Sequence, residues 1–454
     1  MAKAFREEAS MQLHVTPGNP LCGEAHLPGD KSIAHRALIA AALAEGESTV
    51  LGFDALDDGL HTLQALRSCG VRIEAHGART LHVWGRGLRG LQEPAAPLDC
   101  GASGTTMRLL AGLLAGQPLT ATLDGQEGLR RRPMGRVTAP LALMGARIEG
   151  PDGGCHAPFT VHGGALRGID YTLPVASAQV KSALLLAAIN AEGETVLHSP
   201  ASTRDHTERM LARLGVPIAV EGTTVRCRPA RPWPGTAFDL PGDLSAAAFL
   251  LAAVSLVPGS EVLLHDVGLN PTRTGFLDAL RAMGGNVQVI AGDGPQTTGH
   301  GQLTSGEPRG DLLVRAARLG AIKVGGALIP NLIDELPILA VLATQAQGTT
   351  VVCNAAELRV KESDRIAALA EGLTAMGATF QATADGFVIR GPTPLRGALV
   401  DAQGDHRIAM ALAVAGLIAR GETVIGGAEA VTKSFPGFAA TLRSLGAQIT
   451  EAER

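Results

Sequence analysis

Apolar positions along the chain fall into a phrase that recurs. An Ala/Leu-rich run with the density of a buried helix is followed by a glycine and then by a short β-branched stretch. The phrase begins at His35 (HRALIAAALAEGESTVLG), Thr105, Lys181, Ser245, Leu336 and Arg407 (RIAMALAVAGLIARGETVI), with its glycines at 46, 116, 193, 259, 348 and 421. Between 22 and 29 residues after each of these comes a second, more polar helical run, again ending on glycine, at 70, 145, 215, 284, 377 and 446. Only glycine enters the left-handed conformation that closes a helix without steric cost, so twelve helix-ending glycines are expected.

The unit therefore reads strand, helix, strand, helix, strand. First glycines are spaced by 70, 77, 66, 89 and 73 residues, so six units fill nearly the whole chain. Most first helices are apolar on all sides and are expected to be buried all round; the second helices carry Arg, Gln and Asp and are expected to face solvent. Six units exceed one comfortable core, which predicts an α/β protein of two domains with three units each. The expected boundaries are 29–239 for the first domain and 1–28 plus 240–454 for the second, with Leu13-His14-Val15 a strand of the latter and the Pro-rich stretch 231–242 marking a crossing.

Composition narrows the classes. Aromatics are 3% of residues, so the core must be built from Ala, Leu, Val and Ile. A formal charge of −4, with no basic run longer than Arg130-Arg131-Arg132, argues against a nucleic-acid partner. The N-terminal segment has no apolar core of the kind a secretory signal carries. The most apolar stretch, 246–257, is shorter than the roughly 20 residues a membrane span requires. Six cysteines without paired or metal-ligand spacing read as reduced, buried thiols of a cytoplasmic protein.

The chemistry collects in front of the helices. Each first helix is preceded by a polar segment: Gly29-Asp30-Lys31-Ser32, Gly101 to Thr105, Ala176 to Gln179, Gly242 to Ser245, Ile333-Asp334-Glu335 and Gly404 to Arg407. Ser, Thr and Asp there are ordinary caps when taken singly. Capping does not explain Lys31, Arg36, Arg108 and Arg407, cations in or near first turns where positive charge opposes the helix dipole. Further cations and acids precede the second helices: Arg130 to Arg132, Arg204 to Glu208, Lys361 to Arg365, and Lys433. Such a set suits a small, multiply anionic ligand, with Asp334 and Glu362 as a base and an acid. Asp405 reads as a cap. No cluster with metal-ligand spacing is visible, and neither a metal nor a cofactor is expected.

At these residues the sequence resembles the 5-enolpyruvylshikimate-3-phosphate synthases. The likeness runs from LPGDKSIAHRALIAAALA through RRPMG, ASAQVKSALLLA, TRDHTE, NPTRTG, IDELP, LRVKESDR and GDHRIAMA to KSFP. It implies the enolpyruvyl transferase fold: two domains, each of three βαβαββ-like repeats with buried parallel helices, an inside-out α/β barrel, with the active site in a cleft that closes on its ligands. It further implies that Lys31, Ser32, Arg36, Ser177, Ala178, Gln179, Arg204, Asp334 and Lys361 hold shikimate 3-phosphate. Lys31, Gly104, Arg132, Gln179, Arg365, Arg407 and Lys433 would surround phosphoenolpyruvate. Lys31, Asp334 and Glu362 would carry the proton transfers and stabilise the intermediate, in a monomer without nucleic-acid or membrane partners.

One position departs from the pattern: Ala102 stands where the related motif usually has Asn, removing a side-chain contact to phosphoenolpyruvate. Two rivals are weighed. A transferase acting on UDP-N-acetylglucosamine would use a loop Cys as acid, yet the loop 123–128 contains none. A non-catalytic anion-binding repeat protein would have lost catalytic residues, whereas Lys31, Asp334 and Glu362 are all present.

Overall fold

A computed structural model describes residues 11–292 and 306–453. They divide into two compact units: an inserted unit, residues 28–241 with 306–308, and a flanking unit, residues 11–27, 242–292 and 309–453. Each unit has its own hydrophobic core.

The first helices of the six repeats are α1 (Lys31–Ala42), α3 (Gly104–Ala115), α5 (Ala178–Ala188), α7 (Leu244–Leu256), α9 (Leu336–Gln345) and α11 (His406–Gly416). The second helices are α2 (Asp57–Ser68), α4 (Gly135–Leu143), α6 (His206–Arg213), α8 (Gly275–Ala282), α10 (Arg365–Ala375) and α12 (Phe438–Ser444). Burial divides the two sets as their polarity predicts. Twelve of the thirteen residues of α7 and all eleven of α11 are buried, whereas only five of twelve in α2 and five of eight in α6 are. A fully buried Leu or Phe, such as Leu250 or Phe249, contributes roughly 1.5–3 kcal/mol relative to exposure.

Every repeat builds a four-stranded sheet of one topology. In the second repeat Leu98–Asp99 runs parallel to Thr120–Asp124, which pairs antiparallel with Phe159–His162, itself antiparallel to Arg147–Glu149. The other five sheets repeat this order, so each unit wraps three sheets around three buried helices. The unit is thus βαβαββ: a terminal hairpin stands where the hydrophobic pattern alone shows one strand. Alternating burial, as in Arg309–Arg315, turns one face of a strand to the core and the other to solvent.

Three sheets draw on distant chain. Cys22–His26, just before α1, pairs with Glu261–Gly268 of the flanking unit, while Ala237–Asp239, just before α7, pairs with Glu45–Leu51 of the inserted unit. Met11–Thr16, which contains Leu13, His14 and Val15, lies between Thr423–Gly426 and Gln448–Glu453 and takes the hairpin place of the sixth repeat.

Two expectations are corrected. The glycines after the second helices, at 70, 145, 215, 284, 377 and 446, directly follow the C-caps with positive φ. Of those after the first helices, Gly116 is itself the C-cap of α3 and the others lie farther on; Gly46, for instance, lies within Glu45–Leu51. Five of these six are left-handed, but Gly116 has φ −87 and is excluded from larger side chains by space, since an added Cβ would stand 2.9 Å from Asn190 Cβ. The thiols also differ among themselves: Cys69, Cys100 and Cys227 are buried, Cys155 is half-buried, and Cys22 and Cys353 are exposed, Cys22 at the start of an edge strand.

Candidate functional site

Five of the six buried helices begin on a side-chain cap. Asp30, Ser103, Ser177, Asp243 and Asp405 accept from the backbone N–H of Ile33, Thr106, Val180, Ser245 and Arg407 at 2.9, 3.1, 3.4, 2.8 and 2.9 Å. The capping reading of these residues is correct, and it fixes where the neighbouring cations start. The sixth helix, α9, breaks the pattern: its cap position is Glu335, which makes no side-chain cap bond.

In the inserted unit, Gly29 is held by an N–H bond to Asp54 Oδ2 at 2.7 Å, and an added Cβ there would meet the Gly52 carbonyl oxygen at 2.1 Å. The next turn is therefore rigidly placed. From it Lys31 extends its ammonium to Asp58 Oδ2 at 2.9 Å. Arg36, one turn on, is buried and donates to Thr207 Oγ1 (2.7 Å), Ser182 Oγ (2.8 Å) and the Ser32 carbonyl (2.7 Å). Burial lowers its pKa to about 10, against the opposing effect of Glu208 and Asp30, and Arg204 lowers it further. Glu208 itself pairs with buried Lys181 at 2.5 Å.

A second group gathers at the start of α3. Gln179 accepts from Arg108 and donates to Thr105 Oγ1 at 2.9 Å. A Cβ added at Gly104 would meet Arg108 Nη1 at 2.9 Å and the Arg132 guanidinium at 3.1 Å. The three consecutive arginines thus separate: Arg130 forks onto Asp124 at 2.8 and 2.7 Å, Arg131 pairs with Glu127 at 2.7 Å, and Arg132 turns toward Gly104. Ser177 and Ala178 stand at the cap and first residue of α5.

In the flanking unit the named residues form one charged network. Arg365, at 1% exposure, donates to Asp405 Oδ2 (2.8 Å) and Glu362 Oε2 (2.7 Å) and approaches Asp334 Oδ1 at 3.3 Å. Burial opposes its charge, yet Asp405, Glu362 and Asp334 together raise its pKa above the ordinary arginine value. Burial likewise raises the pKa of Asp405, but Arg365 and His406 outweigh it and hold the carboxyl below its usual range. Lys361 Nζ lies 3.3 Å from Asp334 Oδ1, and Arg407 donates to the Asp334 carbonyl at 2.9 Å. Lys433 is at the margin, 3.5 Å from the Gly404 carbonyl.

The structure thus groups Asp334, Lys361, Glu362, Arg365 and Arg407 in the flanking unit, with Lys433 beside them. In the inserted unit it joins Arg36 to the Ser32 backbone, and Gln179 and Gly104 to a common arginine, Arg108. Motif matching did not name the groups that hold these side chains: Asp58, Arg108, Ser182, Thr207 and Glu335, whose Oε1 lies 3.9 Å from Arg407 Nη1. Arg108 carried a signal as a cation in a first turn; the hydroxyls and Asp58 carried none. Among the described residues no cluster of three or more His, Cys, Asp or Glu could hold a metal ion, and no single helix is long and apolar enough to cross a membrane.

Six like α/β repeats thus carry buried helices that start beside arginines, lysines and embedded carboxylates, a set of groups suited to small anions. The family model described as EPSP synthase (3-phosphoshikimate 1-carboxyvinyltransferase) matches residues 15–442. Proteins of that second name from Halorhodospira halophila and Geobacillus kaustophilus are 52% identical over 435 residues and 50% over 437. These alignments cover 95% and 96% of this chain and 95% and 100% of the relatives. A solved EPSP synthase structure from Acinetobacter baumannii matches with a TM-score of 0.86 at 40% identity, covering 97% of this chain and all of the other. The chain belongs to the EPSP synthase family.

Proposed function

We propose that the protein moves the enolpyruvyl group of phosphoenolpyruvate onto the 5-hydroxyl of shikimate 3-phosphate and releases phosphate. The observation that carries the reading is the Arg365 network: a buried guanidinium braced by three carboxylates, with Lys361 and Arg407 gathered on Asp334. Such bracing preorients donors for a carboxylate or phosphate, which arginine grips by paired hydrogen bonds.

Under this reading Lys31, Ser32, Arg36, Ser177, Ala178, Gln179, Arg204, Asp334 and Lys361 hold shikimate 3-phosphate. Lys31, Gly104, Arg132, Gln179, Arg365, Arg407 and Lys433 hold phosphoenolpyruvate. The 5-hydroxyl oxygen bonds to C2 of phosphoenolpyruvate as Asp334 takes the hydroxyl proton and Glu362 delivers a proton to C3. Loss of a C3 proton and departure of phosphate then leave the enol ether. Lys31 supports the charge that develops on the intermediate. The reaction needs one chain only, and the free thiols suit a reducing compartment such as the cytoplasm.

The test is phosphate release from purified protein given phosphoenolpyruvate with shikimate 3-phosphate, with either substrate alone, or with UDP-N-acetylglucosamine as acceptor. Release is expected only in the first case. Release with the nucleotide sugar would overturn the assignment of the acceptor.

A further inference from the structure

The departure at the start of α9 has a structural cause. Glu335 occupies the cap position but turns its carboxylate away from the helix: Oε1 accepts the Ser245 hydroxyl and lies 3.8 Å from Arg273 Nη2 and 3.9 Å from Arg407 Nη1. Arg273 is buried, and its Nη2 also lies 2.5 Å from Ser245 Oγ and 3.4 Å from Asp243 Oδ1. Glu335 is itself only 1% exposed, and its Oε2 is buried without a hydrogen-bond partner. A buried carboxylate with one oxygen unsatisfied is costly. Helix stability does not account for that cost here, because the side chain gives up the cap bond its position offers.

We infer that Glu335 is a positioning residue, a fixed negative charge set between Arg273 and Arg407 that holds the Arg407 guanidinium in the orientation needed to grip phosphoenolpyruvate. Arg407 is also anchored on Asp334, by the carbonyl at 2.9 Å and by the carboxylate, whose Oδ2 lies 3.9 Å from Nη2. Asp334 thus holds the guanidinium through its carbonyl and, at Nη2, through its carboxylate; Glu335 adds a second carboxylate at Nη1, set between that nitrogen and Arg273. The carboxylate's partners are Ser245, Arg273 and Arg407, and of these only Arg407 is assigned to a substrate, phosphoenolpyruvate, so the charge acts first on that side of the reaction.

The inference rests on the function proposed above, and the wild-type assay separates the two: no phosphate release by the wild type sinks the function, whatever the variants do. Given an active wild type, Glu335→Gln keeps the shape and the acceptor for Ser245 but removes the charge. It is expected to raise KM for phosphoenolpyruvate about tenfold, leave KM for shikimate 3-phosphate unchanged and hold kcat within about threefold. Glu335→Asp, which restores the charge on a shorter stem, should recover part of that loss. A purely structural role would lower the unfolding temperature and the active fraction while leaving both KM values alone. That result, or an unchanged KM for phosphoenolpyruvate in folded Glu335→Gln, overturns the inference. Should Glu335→Gln not fold, Ser245→Ala decides: it frees the carboxylate from its hydroxyl anchor and is expected to raise the same KM about threefold, and an unchanged value overturns the inference.

Discussion

Lys31 and Glu362 pair with Asp58 and Arg365 on half-buried and exposed ground respectively. Under the proposed function, replacing either takes away a proton-transfer or charge-stabilising group without opening a core. Lys31→Met and Glu362→Gln are each expected to lower kcat by a factor of roughly 100 or more, with unfolding temperatures near wild type, measured by phosphate release and calorimetry. His35 presents the opposite case. Its ring is fully buried, with Nδ1 2.7 Å from Thr62 Oγ1 and Nε2 without a partner. Burial depresses its pKa from 6.5 to about 3, Asp58 opposing the shift and Lys31 and Arg36 adding to it. Unfolding below pH 6.5 therefore takes up a proton that the folded protein refuses, so stability is full above that pH and falls as the pH drops toward 3. At one pKa unit per roughly 1.4 kcal/mol the loss reaches several kcal/mol. Urea unfolding at pH 7 and pH 4.5 should show a marked decline for the wild type and a smaller one for His35→Gln. The sequence could point to residues like Lys31 and Arg407, because their charge defies the helix dipole. It could not reveal His35, Asp58 or Glu335, whose significance lies in what packs around them.

At the scale of elements, the twelve helices and their order were legible because buried and half-exposed helices differ in polarity along their whole length. Less legible were the turns after the first helices, where the left-handed glycine falls several residues past the helix end, and the terminal hairpins, whose short strands lack a distinct apolar rhythm. Close packing between helices was also hidden. Gly112 lies within α3, where alanine would favour the helix by about 1 kcal/mol. An added Cβ would, however, stand 2.0 Å from the Ala183 carbonyl oxygen on α5, backbone that has no flexible end to yield. Overpacking typically costs 1–3 kcal/mol, which outweighs the propensity gain. Gly112→Ala is accordingly expected to lower the unfolding temperature by several degrees, and an unchanged or higher value by calorimetry would show that α3 and α5 can separate at little cost.

At the scale of the molecule, the inserted unit is nearly one stretch of chain, whereas the flanking unit draws on both sides of it. Met11–Thr16 lies in the middle of its sheet and supplies Leu13 and Val15 to the core, and Cys22–His26 completes another sheet. A fragment of residues 28–241 is therefore expected to melt cooperatively. One beginning at 242 lacks both strands and is expected to show no cooperative transition by calorimetry; cooperative melting of that shorter piece would show the strands to be dispensable. This division was visible in part from the count of six repeats and the proline-rich crossing near residue 241. The junction of 306–308 with the inserted unit, where Glu307 meets His206 at 2.8 Å, was not, since nothing in that stretch marks its partner.

The threading of Met11–Thr16 between Thr423–Gly426 and Gln448–Glu453 also sets a timetable on the ribosome. This strand emerges more than 400 residues ahead of both its neighbours. At 5–20 residues per second it waits roughly 20–90 s while the intervening unit matures. Throughout that interval a nascent apolar edge must be kept from pairing elsewhere, so the yield of folded protein should respond to elongation speed and to chaperone supply.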